Sequence, residues 1–342
     1  MNMKFYRKLP IPMQIKANMP LPKDAAEVRE RRVREIKDVL SGTDRRLLLI
    51  IGPCSADRED AVMEYLYRLK RLEERVSERI LIVPRIYTGK PRTTGEGYLG
   101  MLHQPDPDSA PDLLLGIEAI RRLHIRAISE CGFGCADEML YPENHRYLSD
   151  LLAYTTVGAR SAENQQHRLT ASGLDIPVGI KNPMCGSIGV LMNSIRAAQA
   201  PHVFCYRGWE VGTEGNPYAH AILRGFVTND GTHIGNYDKK SLTEIAASYL
   251  SASLATPAII VDTNHSNSKK RYEMQPEIAL DVMRSRRDDD SLGGIIRGLM
   301  IESYLENGCR QDLGEAYGRS ITDPCLGWSG TEELVLKIAE LV

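Results

Sequence analysis

At 342 residues, with 43 Lys+Arg against 45 Asp+Glu and a formal net charge of -2, the chain is long enough for one large domain or two ordinary ones. Its balanced charge excludes a whole-protein field drawing in nucleic acid or an anionic membrane, so any anion must be bound locally. No apolar run approaches the ~20 residues that a membrane helix requires, and seven scattered cysteines suit a reducing compartment better than a disulfide framework.

In chain order, residues 1–44 hold a Pro-containing arm and then a charged amphipathic helix, KDAAEVRERRVREIKDVLSG, that ends at Gly42. The arm, MNMKFYRKLPIPMQIKANMP, has no apolar signal core, which predicts a cytoplasmic protein. From residue 45 to 342 short β-branched runs recur. They are RLLLIIGPC (46–54), ILIVPRIY (80–87), CADEML (135–140), TTVGAR (155–160), PVGIKN (177–182), PHVFCYR (201–207), AIIVDTNH (258–265) and IIRGLMIES (295–303). Helical patterns such as EDAVMEYLYRLKRLEERV and SIGVLMNSIRAAQ lie between most of them. Eight strand candidates alternating with helices, with no linker between them, predict a single α/β domain, a closed (β/α)₈ TIM barrel behind an N-terminal helical extension. A doubly wound sheet would alternate too, but GPCSAD after the first run is not a dinucleotide glycine fingerprint. The stretch 207–225 fits neither helix nor simple turn and predicts an inserted hairpin after the sixth strand.

Barrel active sites are built at the C-terminal ends of the strands. The runs end on Cys54, Arg85 with Lys90 and Arg92 after it, Glu138, Arg160, Lys181, Arg207 and Arg224, Asp262 and His265, and Glu302. Arg85, Lys90, Arg92, Arg160, Lys181 and Arg224 would repel one another in one mouth unless anions bound there. They therefore predict a substrate with several phosphates, or a phosphate and a carboxylate. A thiol, an imidazole and two carboxylates, Cys54, His265, Glu302 and Asp323, are all divalent-metal ligands, and barrel closure brings the first, seventh and eighth strands together. Taken singly, Cys54 reads rather as a buried small hydrophobe and His265 rather as a hydrogen-bonded core residue.

Longer motifs then carry a resemblance: RLLLIIGPCS, KPRTT, VGARSAENQQHR, ASGLDIPVGIKN, AAQAPHVF, AILRG, VDTNHSNSKK, GLMIESYLENGCRQ and YGRSITDPCLGW. From about residue 20 onward the chain resembles type I 3-deoxy-D-arabino-heptulosonate 7-phosphate (DAHP) synthases of the microbial, aromatic-amino-acid-regulated subfamily, which are (β/α)₈ barrels. The resemblance implies condensation of phosphoenolpyruvate with D-erythrose 4-phosphate and water to DAHP and phosphate, the first step of the shikimate pathway. It implies a divalent metal (Mn²⁺, Fe²⁺, Co²⁺ or Zn²⁺) on Cys54, His265, Glu302 and Asp323. Phosphoenolpyruvate would be held by Arg85, Glu138, Ala159, Arg160, Lys181 and Arg224, and the aldose phosphate by Lys90, Pro91, Arg92 and Asp323. Lys90 would protonate the aldehyde oxygen, and Glu138 or a metal-linked water would help activate the attacking water. His167 and His220 match positions near the site, as orienting or as packed histidines, while Cys325 and the other cysteines are structural. A homodimer or homotetramer and an aromatic amino acid effector are implied as partners.

This chain departs from the family pattern in several places. Ala56, Asp57 and Arg58 stand where I-H-D usually follows GPCS, so Asp57 replaces a histidine commonly near the metal. Tyr98 stands near a usual Trp, the 205–226 excursion lacks its usual serines and threonines, and the N-terminus is short and basic. Asp175 is the clearest change where effector contacts are expected. These departures suggest an unregulated enzyme of a specialised pathway, or one with a different effector. A sister synthase acting on arabinose 5-phosphate or an amino-aldose is the alternative within enzymes, and the KPR segment argues against it. A catalytically silent barrel serving as a regulatory or binding subunit is the alternative outside enzymes, opposed by the intact metal and cationic sets.

Overall fold

The computed structural model describes residues 2–92 and 95–342, so Thr93 and Thr94 of the KPRTT segment lie outside the described residues. Its strands are β1 Leu47–Gly52, β2 Ile80–Pro84, β3 Ala136–Glu138, β4 Tyr154–Val157, β5 Val178–Lys181, β6 His202–Tyr206, β7 Trp209–Thr213, β8 Ala219–Leu223, β9 Phe226–Val227, β10 His233–Ile234, β11 Ile259–Asp262 and β12 Ile296–Glu302. Eight of them pair in parallel in the order β2-β1-β12-β11-β8-β5-β4-β3. The two ends of that row meet through a parallel bridge between Arg85 and Ala136, with the Ile86 N–H donating to the Ala136 carbonyl at 2.9 Å. The predicted (β/α)₈ barrel is therefore present.

Strands covered on both faces have no solvent side, so they are apolar throughout. All six residues of β1 are buried, and Leu48 lies opposite both Leu81 and Gly298. That approach is close: a Cβ on Gly298 would stand 2.1 Å from the Leu48 carbonyl oxygen, so only glycine fits there. Outside, helix Glu59–Val76 turns Tyr65, Leu66, Leu69 and Leu72 onto the barrel, each fully buried aliphatic contributing about 1.5–3 kcal/mol. Helix Leu113–Cys131 begins at Asp112, whose carboxylate accepts from the Leu114 and Leu115 amides, and it stops at Gly132 with φ of 75°.

The N-terminal extension comprises helices Pro12–Asn18 and Lys23–Ser41, the second ending at Gly42 as its sequence predicts. It is stapled to the barrel by Arg121, a fully buried guanidinium that donates to the Met19 carbonyl at 2.7 Å and pairs with Asp150 at 2.7 Å. No helix among the described residues is long and apolar enough to cross a membrane.

One strand differs from the sequence reading. PHVFCYR is not the sixth barrel strand: β6 pairs antiparallel with β7 in a separate hairpin, and the sixth barrel strand is β8. The main hairpin therefore precedes the sixth strand, and only the two-residue ribbon β9–β10 follows it. The physical reason is the periodicity of β6, whose residues alternate half-buried and exposed, whereas all five residues of β8 are buried. Arg207 and Gly208 both take positive φ at the tip, 56° and 79°, as a tight two-residue hairpin turn demands.

Candidate active site

Arg207, at the tip of the β6–β7 hairpin and paired with Glu143, is not part of the barrel mouth, because PHVFCYR is not a barrel strand. Every other predicted strand-end residue lies at or just beyond the C-terminus of a barrel strand and faces one mouth. Cys54 follows β1, Arg85 follows β2, Glu138 ends β3, Arg160 follows β4, Lys181 ends β5, Arg224 follows β8, His265 follows β11 and Glu302 ends β12. Asp323 returns to this mouth because Ser303, next after Glu302, forms a parallel bridge with Leu326.

Cys54, Glu302 and Asp323 present a thiol and two carboxylates whose donor atoms all lie within 4.8 Å of one another. The Lys90 ammonium is placed among them, 2.8 Å from the Cys54 sulfur and 2.7 Å from an Asp323 oxygen. His265 stands beside this group and not inside it, its Nε2 3.7 Å from Glu302 Oε1. Its Nδ1 lies 2.9 Å from Asp262 Oδ2 but out of line, so both buried atoms lack a hydrogen-bond partner among the described residues. His265 also holds a φ of 55°, a left-handed strain that surrounding contacts must sustain. The donor chemistry fits a divalent cation: a sulfur and carboxylate oxygens converge, an imidazole stands beside them, the carboxylates are ionised, and orphaned polar atoms border the cluster.

Residues outside the predicted set hold these donors in place. The Asn264 amide donates to Glu302 Oε2 at 2.6 Å, and Gln275 receives the Glu302 N–H at 2.9 Å while donating to the Glu302 carbonyl at 2.8 Å. The Cys54 N–H points at the Cys325 sulfur, 3.3 Å away. Arg85, 2% exposed, donates to Glu302 Oε1 at 2.6 Å and stacks its guanidinium 3.8 Å from the Tyr87 ring centroid. Neither Asn264, Gln275 nor Tyr87 carries a sequence signal beyond the density of polar residues around the strand ends.

Electrostatics sort the cluster. Burial and the Glu302 carboxylate push the Cys54 thiol up to about 11, with Lys90 pulling the other way. For Asp323, burial acts upward, but the Lys90 ammonium and His265 outweigh it and hold the carboxyl well below its usual range. Glu302 is likewise held down against burial by Arg85 and His265. Burial alone would lower Lys90, yet Cys54, Asp323 and Glu302 raise it well above the ordinary lysine value. Burial pushes the His265 imidazole below its ordinary value, against the upward pull of Asp262 and Glu302.

Across the mouth the cations are less committed. Lys181 lies 3.4 Å from Asp262 Oδ2, but among the described residues the Arg224 guanidinium hydrogen-bonds only to the Met184 sulfur, at 3.4 Å, and Arg160 is exposed. Burial, with Arg160 adding to it, pushes the Arg224 guanidinium below its usual value. Glu138 keeps its place because Gly158 has no side chain: a Cβ there would stand 2.1 Å from Glu138 Oε1. Ala159 follows in the same turn. Of the KPR segment, Lys90 reaches the cluster, whereas Pro91 and Arg92 do not join it and Arg92 Nε donates to the Tyr98 carbonyl at 3.0 Å.

Three residues whose roles the sequence leaves open also have defined surroundings. Asp57 does not join the donor group: its carboxylate accepts from the Tyr304 hydroxyl at 2.8 Å and pairs with Arg310 at 3.3 Å. His220 is a packed histidine, within 2.8 Å of the Tyr154 hydroxyl and 2.9 Å of the Tyr218 carbonyl, and pushed down to about 4 by burial. His167 lies 3.1 Å from the Leu140 carbonyl, two residues beyond Glu138, where it steadies the loop after β3.

The sequence pattern of the DAHP synthetase I family matches residues 17–336. The Tyr-sensitive phospho-2-dehydro-3-deoxyheptonate aldolase of Escherichia coli is 36% identical over 337 residues, covering 96% of this chain and 91% of the relative. The Phe-sensitive enzyme of Escherichia coli is 35% identical over 350 residues, covering 100% and 97%. The solved structure of the phospho-2-dehydro-3-deoxyheptonate aldolase from Francisella tularensis is similar with a TM-score of 0.91 at 30% identity, covering 100% of this chain and 98% of that one.

Proposed function

The chain belongs to the DAHP synthetase I family, and from that premise we propose that it condenses phosphoenolpyruvate with D-erythrose 4-phosphate and water, giving DAHP and phosphate. The observation that carries this reading is the Cys54, Glu302 and Asp323 cluster within 4.8 Å, facing the weakly partnered cations of the same mouth.

In this reading Cys54, His265, Glu302 and Asp323 hold a divalent metal, which supplies Lewis-acid polarisation of the aldehyde when bound. Arg85, Arg160, Lys181 and Arg224 hold the phosphate and carboxylate of phosphoenolpyruvate, with Ala159 and Glu138 lining its site. Pro91 and Arg92 hold the aldose phosphate, and Asp323 takes a sugar hydroxyl. A carbon–carbon bond forms between the C3 carbon of phosphoenolpyruvate and the aldehyde carbon, and the Lys90 ammonium gives its proton to the developing oxyanion. Lys90 suits this role because its anionic neighbours keep it protonated. Water adds to the C2 carbon with Glu138 as its base, and the C–O bond to phosphate then breaks, releasing inorganic phosphate.

Regulation is the finer part of the proposal. A cavity of about 720 Å³ lies between the β6–β7 hairpin and the N-terminal extension, with Phe204 and Val211 on an apolar wall, Lys37 and Arg146 as cations, and Asp175 and Glu214 as anions. That pairing suits an aromatic amino acid, its carboxylate on the cations and its ammonium on the anions. Exposed Val203 and Trp209 on the hairpin and Phe5 and Tyr6 on the arm support a homodimer or homotetramer, which sedimentation would test.

The test of activity is phosphate release by metal-stripped protein with Mn²⁺ restored, comparing erythrose 4-phosphate, arabinose 5-phosphate and no aldose. Metal-dependent release with erythrose 4-phosphate alone is expected. Release only with another aldose would replace the substrate, and no release with any would overturn the assignment. Repeating the assay with Phe, Tyr or Trp tests the cavity, where Phe204→Ala should relieve inhibition and spare basal activity.

A further inference from the structure

The segment after β2 carries both Lys90 and Arg92, and its far side is held by hydrogen bonds that the proposed chemistry does not use. The Lys90 N–H donates to the Leu99 carbonyl at 3.0 Å, and the Leu102 N–H donates to the Thr88 carbonyl at 3.0 Å. Gly100, with φ of 100°, closes the base: a Cβ there would stand 2.3 Å from the Thr88 oxygen. Tyr98 occupies the centre and is only 7% exposed. Its hydroxyl donates to the Ala56 carbonyl at 3.1 Å, and its own carbonyl receives Arg92 Nε at 3.0 Å.

The acceptor end of this chain is rigid. The Ala56 N–H donates to the Tyr87 carbonyl at 2.9 Å, and next to it the buried Asp57 carboxylate is clamped by Tyr304 and Arg310. Ala56 is two residues from Cys54. A single path of hydrogen bonds thus runs from the β1 end, through the Tyr98 phenol and backbone, to the Arg92 guanidinium.

We propose that Tyr98 is a positioning residue for the aldose phosphate: its hydroxyl, anchored on Ala56, fixes the backbone carbonyl that aims Arg92. The inference rests on the role assigned above to Arg92. A guanidinium binds phosphate well only when its fork is held, since side-chain entropy otherwise offsets the contact. The Tyr98 carbonyl takes Nε and leaves the two terminal nitrogens for the ligand.

The test is Tyr98→Phe, which keeps the ring and removes the hydroxyl. The KM for erythrose 4-phosphate should rise about fivefold, the worth of one hydrogen bond, with the KM for phosphoenolpyruvate changing less than about twofold. In an Arg92→Ala background the same substitution should alter the aldose KM by less than about twofold, because the two residues act through one contact. Amide exchange at Lys90 should quicken in Tyr98→Phe, a readout that needs no turnover. Unchanged aldose KM, or a full fivefold effect without Arg92, overturns the inference. If the wild-type protein releases no phosphate with erythrose 4-phosphate, the proposed function fails separately, and the exchange rate then decides whether Tyr98 pins this segment.

Discussion

The two halves of the barrel mouth treat charge in opposite ways. On the side of β1, β12 and the loop beyond, every ionised group has a partner within the protein: Arg85 with Glu302, Lys90 with Cys54 and Asp323, and Lys270 3.6 Å from Asp323 Oδ1. On the side of β4 and β8, Arg224 is buried against a thioether and Arg160 faces solvent. A half that satisfies its own charges suits a resident metal, whereas a half with uncompensated cations waits for anions brought by substrate. Arg85 joins the two, paired with Glu302 yet facing the same mouth.

The largest effect should come from breaking the satisfied half. Arg85→Ala leaves Glu302 buried without its counter-charge and should destabilise the fold by about 3–5 kcal/mol in chemical denaturation. The double change Arg85→Met with Glu302→Leu should recover most of that stability and none of the activity, separating the cost of an orphaned charge from the chemistry.

Arg224→Ala should do the reverse. Burial already disfavours its charged form, so removing it leaves stability unchanged or slightly higher, while affinity for phosphoenolpyruvate falls about 10- to 100-fold, the worth of a charge-assisted hydrogen bond. Equilibrium titration and thermal unfolding on the same variant check both parts.

The metal half also predicts a pH dependence. With the Cys54 thiol pushed up to about 11, the free protein carries it protonated at neutral pH, and a metal must displace that proton. Affinity for Mn²⁺ should therefore rise about tenfold per pH unit between about 6 and 8, with one proton released, measured by calorimetry in buffers of different ionisation heat. A flat profile would remove the thiolate from the ligand set. The smallest effect is expected of Cys325→Ala, which deletes the acceptor of the Cys54 N–H and a weak thiol bond to the Asp323 carbonyl: about 1 kcal/mol of stability and activity within about threefold.

Much of this arrangement is legible in the sequence, because a barrel converts strand ends into one surface. Apolar runs closed by Cys54, Glu138, Lys181 and Glu302 announce both the fold and the mouth. The hairpin misleads because PHVFCYR has the length of a barrel strand and the strand-forming Val, Phe and Tyr, and its half-exposed alternation becomes visible only beside β8. Asn264 and Gln275 escape notice because they act on Glu302 through geometry that no spacing encodes. Asp57 sits three residues from Cys54 in sequence, yet Tyr304 and Arg310, both beyond β12, decide where its carboxylate points.

The most direct test of the division between the halves is a pair of calorimetric titrations on Cys54→Ala, one with Mn²⁺ and one with phosphoenolpyruvate. The predicted result is loss of Mn²⁺ binding with phosphoenolpyruvate affinity kept within about threefold, since the anion-binding cations do not depend on the thiol. Loss of both ligands together, in a variant that remains folded, would contradict the account.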